Sequence, residues 1–378
     1  MPIWWMPVLK KMAGIPGFKP HDLLHIVPFV KQLSSHLNDV DQRRNASSSY
    51  MRDKRLREAY LLYYVTSNLL KLLWPLQELW PAGPPAVNAK DVDTPFRVLD
   101  VGCGPGTGIA AMHAWRDAFP GPRPIHVKGI DSVHANAVLY REMGQVIREH
   151  SGHTIECDAM AGDARHLEGD SGQYDLVMGM NVLNEIPEPA RPRFLQRCAE
   201  LLAPSGALIL IEPALRATSR GLLQLRDLAV QEGWTVAAPC FRQGSCPALV
   251  NEKDWCHHDL HWNRPDFIAW LDEEIGNIKR SLKFSCVVLQ RDENSARTGV
   301  ENESPLRVVS ELFVEKGRSW CFGCGESGRR VYQRNRRDRS DTNAAFDDLQ
   351  RYDAIVIRGE EDREHDVRIP SDAEVRRW

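Results

Sequence analysis

The sequence predicts an α/β protein with a Rossmann-like, mainly parallel sheet, an N-terminal helical region and a small, cysteine-containing, β-rich appendage at the C-terminus. Three observations lead to this fold class. A short apolar run around Val98 leads into four glycines and then a helical stretch, the strand–loop–helix unit that opens a nucleotide-binding sheet. Short apolar runs then alternate with helical stretches, as parallel strands joined by helices require. Further apolar runs at 284–289, 306–314 and 354–357 predict the appendage.

Length and composition limit the classes of protein to consider. The chain has 378 residues, of which 26% are charged, and a formal net charge of −3, so its overall charge does not indicate a nucleic-acid partner. No apolar run reaches the ~20 residues that span a bilayer, so we expect no membrane contact. The N-terminus has neither the order of a secretion signal nor the composition of a transit peptide, which predicts a cytoplasmic location. We expect a monomer.

The glycine loop at 102–108 is G-C-G-P-G-T-G, and an acidic residue, Asp100, precedes it at the strand end. Glycines let the backbone turn tightly and approach a ligand closely. With the preceding acid, the loop resembles the S-adenosylmethionine (SAM) loop of class I methyltransferases more than a dinucleotide site, where a pyrophosphate needs an open helix N-terminus. We therefore expect Asp100, Gly102, Gly104 and Gly106 to bind SAM. A loop that merely turns is the alternative.

Acidic and amide side chains after the later strands extend this site. Asp131 ends the second predicted strand, where a carboxylate can accept hydrogen bonds from both ribose hydroxyls. Asp163 follows the third strand, and in class I methyltransferases an Asp there commonly meets the adenine amino group. Asn181 and Glu185 follow the fourth strand, at the mouth where a methyl group would be transferred. The catalytic residue is unknown from the sequence. Glu185 is a candidate, with helix capping as its alternative role.

The cysteine content points to a metal. The nine cysteines are an odd number, and clustered thiols in a reducing compartment more often bind metal than form disulfides. Cys240, Cys246 and Cys256 have the spacing C-x5-C-x9-C, and Cys321 and Cys324 lie together in S-W-C-F-G-C-G. Four thiolates can hold either zinc or a [4Fe–4S] cluster. Three histidines could replace a thiol in a zinc site: His257, His258 and His261.

A resemblance to a known family is carried by six segments: V-L-D-V-G-C-G-P-G-T, N-V-L-N-E-I, P-C-F-R-Q-G-S-C-P-A-L, D-W-C-H-H, K-F-S-C-V-V-L-Q-R and P-L-R-V-V-S-E-L-F-V-E-K-G-R-S-W-C-F-G-C. Together they resemble the methyltransferase-like proteins associated with the small ribosomal subunit in bacteria and mitochondria. The resemblance covers the chain from about Tyr60 to the C-terminal β segment and implies a class I methyltransferase fold. It also implies a [4Fe–4S] cluster held by Cys240, Cys246, Cys256 and Cys324. Zinc is the alternative metal, and Cys321 is the alternative to Cys324 as the fourth ligand.

A basic segment at 329–339 contains six arginines and one aspartate. Such a segment fits contact with RNA phosphates, with a solvated edge as the alternative. The predicted RNA contacts are Arg329, Arg330, Arg334, Arg336 and Arg337. Together with the resemblance, they predict a SAM-dependent methyltransferase that acts on or with small-subunit ribosomal RNA. Two other functions stay open: a non-catalytic, SAM- and iron–sulfur-binding assembly factor, and a small-molecule methyltransferase with a structural zinc.

These predictions divide the chain into four regions. A proline- and glycine-rich run at 81–85 ends the N-terminal helical region, which we place at 1–85. The SAM-binding methyltransferase core follows at 86–235, and the metal-cluster segment with the β-rich appendage at 236–357. The mixed charge of the tail, 358–378, predicts disorder.

Overall fold

The computed structural model describes residues 1–38, 49–85, 94–121, 123–165, 167, 172–291 and 303–378, and it contains two sheets with helices packed around the first. The helices are α1 Trp5–Ala13, α2 Pro20–Leu23, α3 Val27–Asn38, α4 Lys54–Ala59, α5 Thr66–Leu79, α6 Thr107–Ala118, α7 His134–Ser151, α8 Arg191–Leu201, α9 Arg216–Gln231 and α10 Asp266–Ile275, with a π-helical turn at Tyr60–Val65. The strands of the first sheet are β1 Phe96–Val101, β2 Ile125–Asp131, β3 Ile155–Ala161, β4 Tyr174–Met180, β5 Leu202–Pro213, β6 Thr235–Ala238, β7 His258–His261 and β8 Ser281–Gln290. Those of the second are β9 Leu306–Val308, β10 Phe313–Glu315, β11 Arg318–Gly325, β12 Gly328–Asn335, β13 Ala354–Arg358, β14 Glu361–Asp362, β15 Val367–Arg368 and β16 Glu374–Arg377.

The first sheet has the strand order β3-β2-β1-β4-β5-β8-β6, with β7 paired to β8. Strands β1 to β5 are parallel. The order 3-2-1-4-5 is that of a Rossmann-like, doubly wound sheet, so the predicted fold class is confirmed. Chain order reverses between β1 and β4, and ligands in such sheets bind beyond the carboxyl ends of the strands at this point.

Burial explains why these segments form parallel strands. Five of the six residues of β1 and six of the seven of β4 are buried, as strands covered on both faces require. Side chains of α6, α7 and the N-terminal helices form a core on one face of the sheet. Side chains of α8 and α9 form the core on the other face. The sheet is therefore held rigidly between two apolar layers.

The strand β8 corrects the predicted extent of the appendage. Residues 284–289 belong to the first sheet, since β8 runs antiparallel to β5 from Ala207↔Gln290 to Pro213↔Phe284 and also pairs with β6. A short apolar run looks the same in either sheet, because periodicity does not reveal which partner a strand takes. The sheet core thus continues beyond the predicted limit at 235, and the other region limits stay predictions.

The second sheet confirms the predicted β-rich C-terminal part and corrects the predicted disorder at 358–378. Its strand order is β14-β15-β12-β11-β9-β13-β16, with β10 paired to β11. Three of these strands lie in the tail, where β16 pairs with β13 and buries Val375. Arg376 forms an ion pair with Glu303. Many of the charged side chains that suggested disorder therefore lie at the exposed positions of short strands, along which buried and exposed positions alternate.

The predicted N-terminal helical region is helical where the structure describes it. Part of this region, residues 39–48, lies outside the described residues. Among the helices that are described, none is long and apolar enough to cross a membrane.

Candidate functional site

A cavity of about 1040 Å³ lies at the carboxyl ends of β1, β2 and β4. This volume is at the upper end of the ~300–1,000 Å³ found for small-molecule sites. The strand ends contribute Gly102, Gly104, Asp131 and Asn181 to its wall, as the sequence predicts, and Asp163 also lines it. The position is the one that the reversal of strand order indicates.

Asp131 is held by three hydrogen bonds at the end of β2. Its Oδ2 accepts from the backbone N–H of Gly104 at 2.9 Å. Its Oδ1 accepts from the N–H of Val133 at 2.8 Å and from Nδ2 of Asn136 at 3.1 Å. Burial raises its pKa, and the three donors oppose this rise. The carboxylate thus ties the glycine loop to the second strand and still lines the cavity.

The segment after β4 is shaped by a buried acid, Glu212, at the end of β5. Its Oε1 accepts from the N–H of Leu183 at 2.9 Å, and its Oε2 accepts from Nδ2 of Asn184 at 2.7 Å. Asn181 has φ +60, a left-handed conformation that is uncommon outside glycine and found at functional sites. Glu185 is exposed and lines the cavity. Glu212 is a positioning residue that the sequence did not single out.

Asp163 lines the cavity, but its carboxylate already has a partner. Nε of Arg165 donates to both carboxylate oxygens at 2.9 Å, and the backbone N–H of Arg165 donates to Oδ1 at 2.8 Å. An adenine amino group would therefore meet a carboxylate that is oriented and partly neutralised by this arginine. Its role in adenine binding stays a prediction.

Asp100 and Gly106 do not line the cavity, contrary to prediction. The carboxyl of Asp100 lies beneath the loop, is 2% exposed and accepts a hydrogen bond from the Tyr140 hydroxyl at 2.9 Å. Gly106 has φ +120 and packs against Met143 of α7. Asp100 therefore supports the loop from beneath, and Gly106 is the loop residue that faces Met143.

Gly108 is the glycine whose replacement has the clearest steric consequence. A Cβ atom there would lie 2.0 Å from Oδ2 of Asp100 and 2.6 Å from Cε of Met178. We expect Gly108→Ala to lower the free energy of unfolding by about 1–3 kcal/mol, because overpacking forces neighbouring atoms apart. Urea unfolding measures this change. Gly121→Ala is the matched control, since its Cβ would have its nearest contact at 3.5 Å; an equal loss in both variants would contradict the steric argument.

The buried Asp100 predicts a pH dependence of stability. Burial raises its pKa to about 7, while the Tyr140 hydrogen bond opposes the rise and the Asp131 charge adds to it. The folded chain therefore keeps a proton that the unfolded chain releases, so this group's contribution to stability is full below about pH 4 and lost as pH rises through 7. We expect Asp100→Asn to flatten this decline in urea midpoints measured from pH 4.5 to 8. A variant with the same decline as the native chain would refute the assignment.

Many cavity residues lie outside the set of site residues that the sequence predicts, and four of them are polar side chains on or near helices. Tyr60, Asn68 and Lys71 lie on the π-helical turn and α5, and Lys279 follows α10. The Tyr60 hydroxyl is hydrogen-bonded to the side chains of Asn181 and Asn68. The only indication in the sequence was the polar residues within an apolar helix, which by themselves suggest a solvated face.

A second, smaller cavity brings together the four predicted metal ligands: Cys240, Cys246, Cys256 and Cys324. Cys324 lies on the face of β11 that is turned to this cavity, whereas Cys321 is buried in the core of the second sheet. Arg226, Arg307 and Arg329 also line the cavity. Burial raises the pKa of Cys240 to about 11, and the charge of Arg226 opposes the rise.

The four cysteines above define this thiol cavity, and none of the three histidines that the sequence offered as alternative ligands lines it. His258 packs against Trp74, Tyr352 and Phe284 and does not line the cavity. Among the described residues, no group of three His, Cys, Asp or Glu has a geometry that could hold a single metal ion. Five thiols therefore surround a common space, those of the four proposed ligands and of Cys286, with guanidinium groups that could offset thiolate charge.

The predicted RNA contacts separate into buried and exposed groups. Arg334 is 3% exposed and donates to the backbone O of Asn343 at 2.8 Å, so its prediction as an RNA contact is wrong. It occupies an inward position of β12, which the arginine count alone did not reveal. Arg329 pairs with Asp254 at 2.7 Å and Arg330 with Asp362 at 2.7 Å. Arg336 and Arg337, like Arg339, are exposed in the turn after β12.

The chain matches a family model described as mitochondrial small ribosomal subunit Rsm22 over residues 86–338. It is 27% identical over 171 residues to the mitochondrial citrate synthase-lysine N-methyltransferase CSKMT of Pongo abelii, covering 43% of this chain and 62% of that protein. It is 30% identical over 135 residues to the ubiquinone biosynthesis O-methyltransferase of Paraburkholderia xenovorans (strain LB400), covering 35% of this chain and 50% of that protein. The chain thus spans between half and two thirds of these relatives.

Two solved structures show a distant likeness. One is a putative class I S-adenosylmethionine-dependent methyltransferase from Listeria monocytogenes, with a TM-score of 0.40, 12% identity, and coverage of 77% of this chain and 88% of that one. The other is magnesium protoporphyrin IX methyltransferase (ChlM) from Synechocystis PCC 6803 with bound SAM, with a TM-score of 0.35, 14% identity, and coverage of 70% and 97%.

Proposed function

The chain belongs to the mitochondrial small ribosomal subunit Rsm22 family, and on this premise we propose that it is a SAM-dependent methyltransferase-like protein that acts on or with small-subunit ribosomal RNA. The observation that carries the proposal is the large cavity at the carboxyl ends of β1, β2 and β4. Its wall combines a glycine loop with a strand-end carboxylate, the pair of features that a nucleoside cofactor needs.

The residues at the strand ends have complementary tasks. Gly102 and Gly104 bring backbone close to the ligand without side chains in between. Asp131 is fixed by its three hydrogen bonds and offers its remaining lone pairs to ribose hydroxyls. Asp163, which Arg165 orients, would accept a hydrogen bond from the adenine amino group. The bound cofactor would supply an electrophilic methyl group on a sulfonium.

The chain's contribution to transfer is mainly alignment. Asn181 has a left-handed conformation and is hydrogen-bonded to the Tyr60 hydroxyl, and both residues line the cavity. Fixing acceptor and donor in one geometry, with water excluded, is the main means by which such a site lowers the barrier of a direct in-line transfer. Glu185, exposed and lining the cavity, is the candidate to take a proton from the acceptor.

For the thiol cavity we propose a [4Fe–4S] cluster held by Cys240, Cys246, Cys256 and Cys324, with zinc as the alternative. Four thiolates suit either group. The cysteines come from the segment after β6 and from β11, so a bound cluster would fasten the first sheet to the second. Because burial keeps these thiols protonated, binding would release protons.

For RNA we propose the aromatic face of the second sheet, which consists of Phe313, Trp320, Phe322 and Arg329. The ring centres of Phe313 and Trp320 are 4.2 Å apart in a stacked arrangement, and those of Trp320 and Phe322 are 5.6 Å apart, edge to face. The Arg329 guanidinium carbon lies 5.0 Å from the ring centre of Phe322. Phe313 is 37% exposed. Trp320 and Phe322 are partly exposed, and aromatic rings accessible to solvent beside an arginine are a sequence-tolerant platform for unstacked bases. Arg336 and Arg337 would add phosphate contacts.

Methyl transfer tests the proposal directly. We expect label from SAM with a tritiated methyl group to enter small-subunit ribosomal RNA in the presence of the chain, and not large-subunit RNA. Binding of SAM and RNA without any label in RNA would instead favour the non-catalytic assembly factor. Failure to bind RNA at moderate salt would favour the small-molecule methyltransferase. The predicted cytoplasmic location stays a prediction, because the family model describes a mitochondrial protein.

A further inference from the structure

The large cavity has a wall that the proposed cofactor contacts do not use. This lysine wall consists of Asn68, Lys71 and Lys279, all of which line the cavity. Asn68 and Lys71 are three residues apart on α5 and so lie on one face of that helix. Lys279 approaches from the segment between α10 and β8. Two cationic side chains thus come from distant parts of the chain to one place.

In the part of the chain that the structure describes, no carboxylate pairs with Lys71. Its side chain is partly buried, and among the described residues no hydrogen bond or ion pair reaches its ammonium group. Burial lowers its pKa to about 8. A charge removed from water without a partner is unfavourable, and proteins normally pair such groups. A cation left unpaired in a cavity wall is therefore suited to an anion that arrives from outside.

Lys279 is held in place without being neutralised. Its Nζ lies 3.8 Å from the ring centre of Tyr63 and 4.5 Å from that of Tyr64, and it donates to Oγ of Ser67 at 3.3 Å. Burial, together with the Lys71 charge, lowers its pKa to about 7. The two ammonium groups therefore repel each other across the cavity wall.

Asp272 is the carboxylate whose charge acts on Lys279, but both of its oxygens already accept hydrogen bonds from other groups. Its Oδ2 accepts from Arg264 at 2.6 Å and from the backbone N–H of Lys279 at 3.1 Å, and its Oδ1 accepts from the Tyr63 hydroxyl. Lys283, at the edge of the cavity, pairs with Asp259 at 3.4 Å. The lysine wall is thus left with net positive charge.

The lysine wall joins the mouth of the cavity through Tyr60. This residue is 9% exposed, and its hydroxyl is hydrogen-bonded to Asn68 on one side and Asn181 on the other. A molecule that touches Asn181 with its reacting atom can therefore reach Lys71 with another group. The volume of the cavity leaves room for both a cofactor and such a molecule.

We propose that Lys71 and Lys279 form an anion subsite for the methyl acceptor, which binds a phosphate or carboxylate group of that molecule. The inference rests on the proposed function, which assigns the rest of the cavity to SAM. The subsite is distinct from the cofactor's own carboxylate, so an acceptor anion and the cofactor occupy the cavity together.

Calorimetric titration of the full chain with inorganic phosphate and with succinate at pH 7 tests the subsite. We expect binding that weakens about tenfold in Lys71→Met and in Lys279→Met, which equals about 1.4 kcal/mol each. Lys10→Met, at an exposed position of α1, is the control and should bind as the native chain does. Preference for phosphate would identify a phosphorylated acceptor, and preference for succinate a carboxylate.

Repeating the titrations with saturating S-adenosylhomocysteine separates the two proposals. We expect the anion affinity to be unchanged and the lysine variants to retain affinity for S-adenosylhomocysteine. Competition between the anion and S-adenosylhomocysteine would overturn the acceptor subsite, since the lysines would then serve the cofactor. Absence of anion binding, or equal affinities in all variants, would also overturn it. Absence of S-adenosylhomocysteine binding would count against the proposed function instead. Melting temperatures of the variants show that each is folded.

Discussion

Replacing Arg307 by methionine is expected to lower the free energy of unfolding by about 3 kcal/mol, because it removes one partner of a buried ionic network. Arg307 is 2% exposed and donates to Glu78 at 2.7 Å, to the backbone O of Pro239 at 2.9 Å and to that of Tyr352 at 2.7 Å. These three acceptors lie on α5, after β6 and before β13. The side chain therefore links the helical region, the first sheet and the second sheet.

Urea unfolding measures the loss, and Arg318→Met is the matched control. Arg318 pairs with Glu315 at 2.9 Å, but both side chains are about half exposed. Exposed positions of this kind change stability by less than about 0.5 kcal/mol. Equal effects of the two substitutions would show that Arg307 does not hold the three parts together.

Replacing Cys324 by serine is expected to remove most of the iron from protein purified without oxygen. The native chain should carry about four iron atoms, since a [4Fe–4S] cluster takes one thiolate for each iron. Cys324 lines the thiol cavity with the other three proposed ligands. Iron and zinc analysis with an absorption spectrum measures the outcome.

Cys321→Ser is the control for this experiment, because Cys321 lies three residues earlier on the same strand but is buried in the core of the second sheet. We expect it to retain its iron. Loss of iron from Cys321→Ser and retention in Cys324→Ser would reverse the ligand assignment. Stoichiometric zinc without iron in the native chain would replace the cluster by the alternative metal.

The sequence was sufficient for the parts of the fold that depend on local pattern. The fourth strand ends directly before Asn181, and the glycine loop lies between β1 and α6, as expected. The positions of Gly102, Gly104 and Asp131 on the cavity wall follow from strand order alone. Each of these predictions requires only that a strand ends where its apolar run ends.

Other features depend on which side of a strand or loop a residue occupies. Asp100 has the expected position in sequence, yet the absence of a side chain at Gly108 lets its carboxyl lie beneath the loop. Arg334 and Cys321 lie at inward positions of β12 and β11. The period of two along a strand could have indicated these orientations once the strands were known.

The remaining features depend on tertiary pairing, which one sequence does not reveal. Strand β8 joins the first sheet by pairing with β5 and β6, and no local property of residues 284–289 identifies those partners. Lys71 and Lys279 are more than two hundred positions apart, and each by itself resembles a solvated lysine. Their common position became evident only when the helical region covered the cavity.

Calorimetric titration with S-adenosylhomocysteine, comparing the native chain with Asp131→Ala and Asp158→Ala, tests the central claim that the large cavity is a SAM site. Asp158 is an exposed neighbour on β3, outside the cavity wall, and provides the matched control. The account predicts binding by the native chain and by Asp158→Ala, and a loss of at least about tenfold in Asp131→Ala, which removes charge-assisted hydrogen bonds to the ribose. No binding by the native chain, or equal binding by both variants, would contradict it.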